Sequence, residues 1–197
     1  MPANLRQAVF FVAVANLAYF GVEFVVALRI GSVSLFADSI DFLEDASVNL
    51  LILVALRWDA RARARIGMVL AGILLVPAMA TIWMAWQKFS LPVPPAPLPM
   101  TLTGLGALAV NLTCALILAR FRHHGGSLSR AAFLSARNDA LANIAIMAAA
   151  GVSLLVPSAW PDLIVGIAIA VLNADAARTV FRAARAEHLS ANTEPEP

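Results

Sequence analysis

The sequence predicts an all-α integral membrane protein: a bundle of six transmembrane helices with both termini in the cytoplasm. Of its 197 residues, 61% are hydrophobic and only 13% are charged, whereas soluble domains average about 45–50% and about 25%. Six apolar stretches are each long enough to cross the hydrocarbon core of a bilayer, which takes about 20 residues. No nucleic-acid partner is expected, because the formal net charge is only +2 and the arginines lie in short segments between apolar runs.

The predicted spans are residues 7–28, 32–56, 66–87, 99–119, 131–155 and 161–181. After the third span, the link that begins at Lys88 and continues into a proline-rich segment is predicted to be non-helical, because proline breaks helical hydrogen bonding. We assign residues 1–189 to a six-helix transmembrane domain. Residues 190–197 have nothing to bury and are predicted to form a disordered C-terminal tail.

The basic residues predict the orientation of the bundle in the membrane. Eleven arginines fall on one side: Arg6, Arg57, Arg61, Arg63, Arg65, Arg120, Arg122, Arg130, Arg178, Arg182 and Arg185. The other side has only Arg29 and Lys88. Because basic loops stay in the cytoplasm, we expect cytoplasmic termini and a multi-pass protein of the bacterial inner (plasma) membrane.

Acidic residues interrupt the first, second and fifth spans. They are Glu23, Asp38, Asp41, Glu44, Asp45 and Asp139. A charged side chain at the bilayer centre costs at least about 2.5–3.5 kcal/mol on insertion scales, so such residues usually face a cavity, a partner or an ion. This many acids together need a compensating cation or protons.

The acids of the second span form a stripe. Asp38, Asp41 and Asp45 follow i, i+3, i+7 spacing, Asn49 continues it at i+11, and Glu44 flanks it. Residues at this spacing share one face of a helix. This face must meet something other than lipid.

The fifth span has a matching polar face. Ser135, Asn138, Asp139 and Asn143 share it. Arg137 lies on a different face from Asp139 and is predicted to pair with Glu44 or another acid near its depth, as a structural or gating ion pair. We predict that Glu23, Asp38, Asn49 and Asn143 line the path of a cation.

Counting residues from the ends of the spans places three acids at the same depth in the bilayer. At about 1.5 Å per residue, Asp41 and Asp45 lie roughly 14 and 20 Å from Ser32 on the outer side. Asp139 lies roughly 14 Å from Arg130 on the cytoplasmic side. Because the two helices run antiparallel, all three carboxylates reach the bilayer middle, where Ser135 and Asn138 are available to complete the shell of a divalent cation.

A histidine pair, His123 and His124, lies beside two glycines in the loop between the fourth and fifth spans. Its role stays open between delivery of a metal ion and a solvated loop.

Two motifs resemble those of a known family. The segment from Gly31 to Asp45 resembles the second-helix signature of the cation diffusion facilitator transporters, and the segment from Ala132 to Leu141 is similar to their fifth-helix motif. The resemblance implies that Asp41, Asp45 and Asp139 bind metal. It covers about residues 5–185.

Three departures from the family pattern change the expected chemistry. Ser135 stands where the family usually has histidine, which leaves an almost all-oxygen site and admits harder ions than Zn²⁺. The loop from Arg57 to Arg65 has no histidine, so the family's peripheral cytoplasmic site is not expected. The chain ends soon after the sixth span, so we expect a compact form that lacks the cytoplasmic C-terminal domain.

The resemblance implies metal/proton antiport that exports Zn²⁺, Co²⁺, Fe²⁺, Mn²⁺ or a similar ion from the cytoplasm. The expected partners are the lipid bilayer, a divalent metal ion as substrate, and protons, with a homodimer left open and no resident cofactor. Two alternatives remain at this point: a metal-dependent intramembrane enzyme, and a membrane sensor or scaffold that does not transport.

Overall fold

The computed structural model describes residues 3–55, 60–120 and 126–193. Within these ranges some side chains, including those of Ser135 and Arg137, fall outside the description. The described residues form six helices. They are α1 (Ala3–Ile30), α2 (Val33–Ala55), α3 (Ala60–Ser90), α4 (Pro97–Ala119), α5 (Gly126–Leu155) and α6 (Trp160–Thr193).

The six helices correspond one to one with the six predicted spans, but several are longer. Helix α3 includes Lys88, Phe89 and Ser90, so the prediction of a non-helical link beginning at Lys88 is wrong. The chain leaves the helix only at Leu91, just before the first proline of the link, because residues that precede proline disfavour helical geometry. Helix α6 continues through Thr193 and so includes the first four residues of the predicted tail; residues 194–197 lie outside the described part.

Among the described residues, three helices are long and apolar enough to cross a membrane, judged by length and composition alone. They are α1, α4 and α5, and the qualifying segments are Leu5–Ile30, Pro97–Ala119 and Asn138–Leu155. Helix α2 carries four acids, which lowers its apolarity. Large hydrophobic side chains are nevertheless exposed on the outside of the bundle, among them Phe10, Leu102 and Leu116. An apolar exterior is what lipid requires of a bundle that spans the bilayer.

Helix α2 is the centre of the bundle and packs against each of the other five helices. Its N-terminal half is fully enclosed, and every residue from Val33 to Ile40 is buried. Helix α6 approaches it especially closely, since a Cβ on Gly166 would lie only 2.8 Å from the backbone nitrogen of Ser34. The polar stripe of α2 therefore faces protein along much of its length.

A two-residue link joins α1 to α2. Gly31 adopts a left-handed conformation with φ of 65°, which glycine reaches without the Cβ penalty of other residues. The backbone nitrogen of Ser32 then donates to the carbonyl of Ala27 at 3.0 Å, the bond that closes a Schellman motif. The two helices are thereby reversed within one tight turn.

Candidate metal-binding site

The central acids of α2 and α5 line one cavity. It has a volume of about 240 Å³ and lies between α2, α5 and α6. The lining residues are Asp41, Glu44, Asp45, Asn138, Asp139, Ala142, Ile169, Leu172, Asn173 and Asp175. A water molecule occupies about 30 Å³ in the liquid, so the cavity has room for an ion with part of its hydration shell.

The structure therefore brings together Asp41, Asp45, Asp139 and Asn138. They come from two antiparallel helices, α2 and α5, as the calculated depths predict. The carboxylates are not gathered into a finished shell, because no three His, Cys, Asp or Glu side chains of the described part converge closely enough to hold a metal ion. An ion that enters would have to draw these side chains inward.

Helix α6 contributes a side of the cavity that the sequence analysis did not assign. Asn173 donates from its amide nitrogen to the carbonyl of Ala37 on α2, at 3.2 Å. Asp175, two residues further along α6, is an exposed acid at the cavity wall. Both are polar residues within the predicted span 161–181, and that polarity was the signal that could have found them.

The amides of Asn49 and Asn143 have the same local arrangement on two different helices. Asn49 donates to the carbonyl of Asp45 at 2.7 Å, and Asn143 donates to the carbonyl of Asp139 at 2.7 Å. Both are i to i−4 contacts on their own helix, and neither residue lines the cavity. In both residues the amide oxygen is buried without a hydrogen-bond partner among the described residues.

Asn16 of α1 reaches the site from another side. Its amide nitrogen lies 3.5 Å from a carboxylate oxygen of Asp45, and its amide oxygen accepts from the Cys114 thiol at 3.7 Å. Asn16 and Cys114 are both fully buried. Helices α1, α2 and α4 are thus connected behind Asp45.

Glu23 and Asp38 form a separate acidic pair. Both are fully buried, neither lines the 240 Å³ cavity, and their carboxyl groups adjoin each other, with Asn143 beside Asp38. The structure thus places in contact two of the residues that are predicted to line the path of a cation.

Other predicted contributors fall outside the described side chains. Ser135 and Arg137 lie on α5, but their side chains are not described, and His123 and His124 lie outside the described residues. Glu44, the predicted partner of Arg137, lines the cavity with the aspartates.

A buried ion pair that the sequence analysis missed closes one end of the bundle, which we call the Asp162 end. Lys88 of α3 lies 2.9 Å from Asp162 of α6, with side chains 7% and 0% exposed. Its ammonium group also donates to the carbonyl of Gly31. The apolar pattern places Lys88 in a connecting segment, but it is a buried residue in the last turn of a helix.

Asp162 also caps the N-terminus of α2. Its carboxylate accepts from the backbone nitrogens of Val33 and Ser34 at 2.9 and 3.1 Å and from the hydroxyls of Ser32 and Ser34, both at 2.7 Å. These donors are among those that a helix leaves unsatisfied at its N-terminus, and a carboxylate is favoured there by the helix dipole. The Asp162 end is therefore held by three helices, α2, α3 and α6.

Comparison with known families decides what this bundle is. Residues 9–187 match the cation efflux transmembrane domain. The chain belongs to the cation efflux family. Its members, the cation diffusion facilitators, are transporters rather than enzymes, so the alternative of an intramembrane enzyme is set aside. A comparison with curated proteins finds no match.

Membership in the cation efflux family establishes the general activity. This is a multi-pass membrane protein whose six-helix bundle transports a cation, and a metal cation is its substrate. The cavity between α2, α5 and α6 lies at the motifs by which the sequence resembles the family.

Proposed function

We propose that this cation efflux protein exports a divalent metal cation from the cytoplasm in exchange for protons, with Asp41, Asp45 and Asp139 as ligands. The observation that supports this most strongly is the shared cavity, in which three acids from two helices surround a space large enough for a partly hydrated ion. Asn138 lines the same space, and Ser135 precedes Asp139 by about one helical turn. Both are proposed as further ligands.

The ligand set favours a hard or borderline ion. Carboxylate, amide and hydroxyl oxygens suit Mn²⁺, and the absence of a histidine at position 135 removes the imidazole that suits Zn²⁺. Zn²⁺, Co²⁺ and Fe²⁺ also bind carboxylates, so the proposed substrates are Mn²⁺, Fe²⁺, Co²⁺ and Zn²⁺.

The cavity suggests which way the site is open in this conformation. Its exposed lining residues, Asn138, Leu172 and Asp175, lie away from the Asp162 end, which is closed by the buried ion pair. With the orientation predicted from the arginines, this is access from the cytoplasm. Beyond the site, the proposed cation pathway runs past Glu23, Asp38, Asn49 and Asn143, and Glu44 pairs with Arg137 as a structural ion pair.

The test of this function is flux of metal ions into proteoliposomes. Purified protein would be reconstituted and offered Mn²⁺, Fe²⁺, Co²⁺, Zn²⁺ and Mg²⁺ in turn, with and without an imposed pH gradient. We expect uptake of at least one divalent transition-metal ion that becomes faster when the vesicle interior is acidic. Binding of the ions without any flux would favour a membrane sensor that does not transport, and would contradict the proposal. A flux whose rate does not change with the pH gradient would contradict the exchange of protons.

Replacing Ser135 with histidine should shift selectivity towards Zn²⁺. The substitution adds an imidazole nitrogen next to an oxygen-rich site, and imidazole is a better ligand for Zn²⁺ than for Mn²⁺. We expect the ratio of Zn²⁺ to Mn²⁺ flux to rise by roughly tenfold, measured in the same vesicles. Ser135→Asn, which offers an amide instead, is the matched control and should leave the ratio near its original value. An unchanged ratio in Ser135→His would mean that position 135 does not reach the ion.

A further inference from the structure

No carboxyl oxygen of the Glu23–Asp38 pair accepts a hydrogen bond from the described residues. All four carboxyl oxygens of Glu23 and Asp38 are buried without a hydrogen-bond partner in the described part of the chain, and so is the amide oxygen of Asn143 beside them. Five buried acceptors at one place are costly, since an unsatisfied buried polar group costs about 1–3 kcal/mol and a charged one more. What is missing must be a donor or a cation.

No cation among the described side chains supplies the missing charge. The ionisable groups that act on the pair are Tyr19 on α1, Asp41 on α2 and Asp139 on α5. The Tyr19 hydroxyl already donates to the carbonyl of Thr103 at 2.6 Å. Helix α4, which also packs on α1, has no acidic or basic side chain.

The buried basic group that the structure describes beside α2, the ammonium group of Lys88, already pairs with another carboxylate. Lys88 of α3 is held by Asp162 of α6 at the Asp162 end. Two adjoining carboxylates at full burial would therefore stand with a charge of −2 and no counter-ion in the described structure, which a low-dielectric interior does not tolerate.

We propose that Glu23 and Asp38 share a proton and form the proton-binding site of this transporter, separate from the metal ligands. A proton needs no cavity, and the pair lies outside the cavity that the central acids line. With one proton bound, one carboxyl group donates to the other, which removes a charge and satisfies two of the five acceptors. With a second proton bound, the amide oxygen of Asn143 accepts from Asp38.

This inference rests on the proposed function for its role in the transport cycle. Asp38 lies one helical turn from Asp41, so a divalent cation bound among Asp41, Asp45 and Asp139 brings positive charge close to the pair. That charge favours the loss of the shared proton and leaves both carboxyl groups ionised. Return of a proton to the pair reduces its negative charge and so favours release of the metal ion. The exchange is thus electrostatic, and it needs no histidine at position 135.

Infrared spectroscopy of the metal-free protein tests the pair directly. Near neutral pH, we expect a carbonyl stretching band from a protonated carboxyl group that shifts in D₂O and that Mn²⁺ removes. One component of the band should disappear in Glu23→Gln and in Asp38→Asn, because an amide donor then replaces the proton and also keeps the pair satisfied for folding. Asp59→Asn, which changes an acid outside the predicted spans, is the matched control and should leave that component in place.

The outcomes separate this inference from the proposed function. A wild-type protein without the band, or a band that Glu23→Gln leaves intact, would overturn the shared proton. Appearance of the band only when Na⁺ is withdrawn would also overturn it, since the pair would then be a sodium site. If the band and its loss in Glu23→Gln are seen but no divalent cation crosses the vesicle membrane, the pair stands and the transport proposal fails. A metal-dependent flux with no Glu23-dependent band would mean the reverse, that transport stands and the shared proton fails.

A second measurement counts the protons. Adding Mn²⁺ to weakly buffered wild-type protein should release protons, and Glu23→Gln should release about one fewer for each Mn²⁺ bound. Equal proton release by the two proteins would contradict the shared proton even if both bind Mn²⁺.

Discussion

Replacing Asp162 with alanine should destabilise the bundle by about 3–5 kcal/mol, the cost of leaving one partner of a buried ion pair without its counter-ion. Lys88 would remain buried with only the carbonyl of Gly31 as a described partner, and the N-terminus of α2 would lose the acceptor for four donors. For a chain of this length we expect a fall in Tm of roughly 10 °C. Thermal unfolding of the detergent-solubilised protein, followed by size-exclusion chromatography, measures it.

The matched variant is Lys88→Met, and it should cost less. Methionine preserves much of the length of the side chain, and Asp162 keeps its four donors from Ser32, Val33 and Ser34. The order of stability expected is therefore wild type, then Lys88→Met, then Asp162→Ala. Equal falls in Tm would mean that the ion pair, and not the helix cap, carries most of the stabilisation, because both variants lose the pair. A reversed order would mean that the Asp162 carboxylate without its lysine costs more than the loss of the cap, and an unchanged Tm in both variants would show that the cluster is not formed.

Replacing Asp139 with asparagine should reduce metal flux at least about tenfold, which is the loss typical even of a residue that only supports a metal ligand. Asp139 is the acid that α5 contributes to the cavity, and the other two proposed acidic ligands come from a single helix. An asparagine keeps the size of the side chain and one oxygen but removes the charge. Transport assays in proteoliposomes, with binding of the same ion measured in detergent, would separate loss of affinity from loss of turnover.

The control for this experiment is again Asp59→Asn, which removes an acid outside the predicted spans. It should transport at the wild-type rate. If Asp139→Asn matched that rate, the ion would have to bind elsewhere, and the proposed ligand set would be wrong.

The overall architecture was predictable because its cause is local in the sequence. A run of about 20 apolar residues predicts a membrane span whatever the rest of the chain contains, and all six helices lie where such runs lie. The central cavity was partly predictable for a related reason. The spacing of Asp41 and Asp45 defines a face, and the antiparallel course of the spans fixes their depth relative to Asp139.

The Asp162 end was not predictable in the same way. Lys88 and Asp162 are 74 residues apart in the sequence, and no periodicity connects them. The apolar run of the third span ends just before Lys88, so the sequence pattern assigns the lysine to the link. Only packing of α3 against α6 reveals that the ammonium group is buried. Asn173 was missed for a different reason, because the recognisable motifs lie on the second and fifth spans and the sixth carries no comparable polar stripe.

The tight link at Gly31 has a consequence for how the bundle can move. With only two residues between them, α1 and α2 cannot slide far past each other, so any rearrangement that exposes the central cavity to the opposite face of the membrane must carry them as one hairpin. Glu23 and Asp38 belong to this hairpin and would stay together throughout. Asp139 belongs to α5, which packs mainly on α4. The three proposed acidic ligands are thus divided between the α1–α2 hairpin and the α4–α5 pair. A shift between these two units would open and close the shell around an ion while leaving the Glu23–Asp38 contact unaltered.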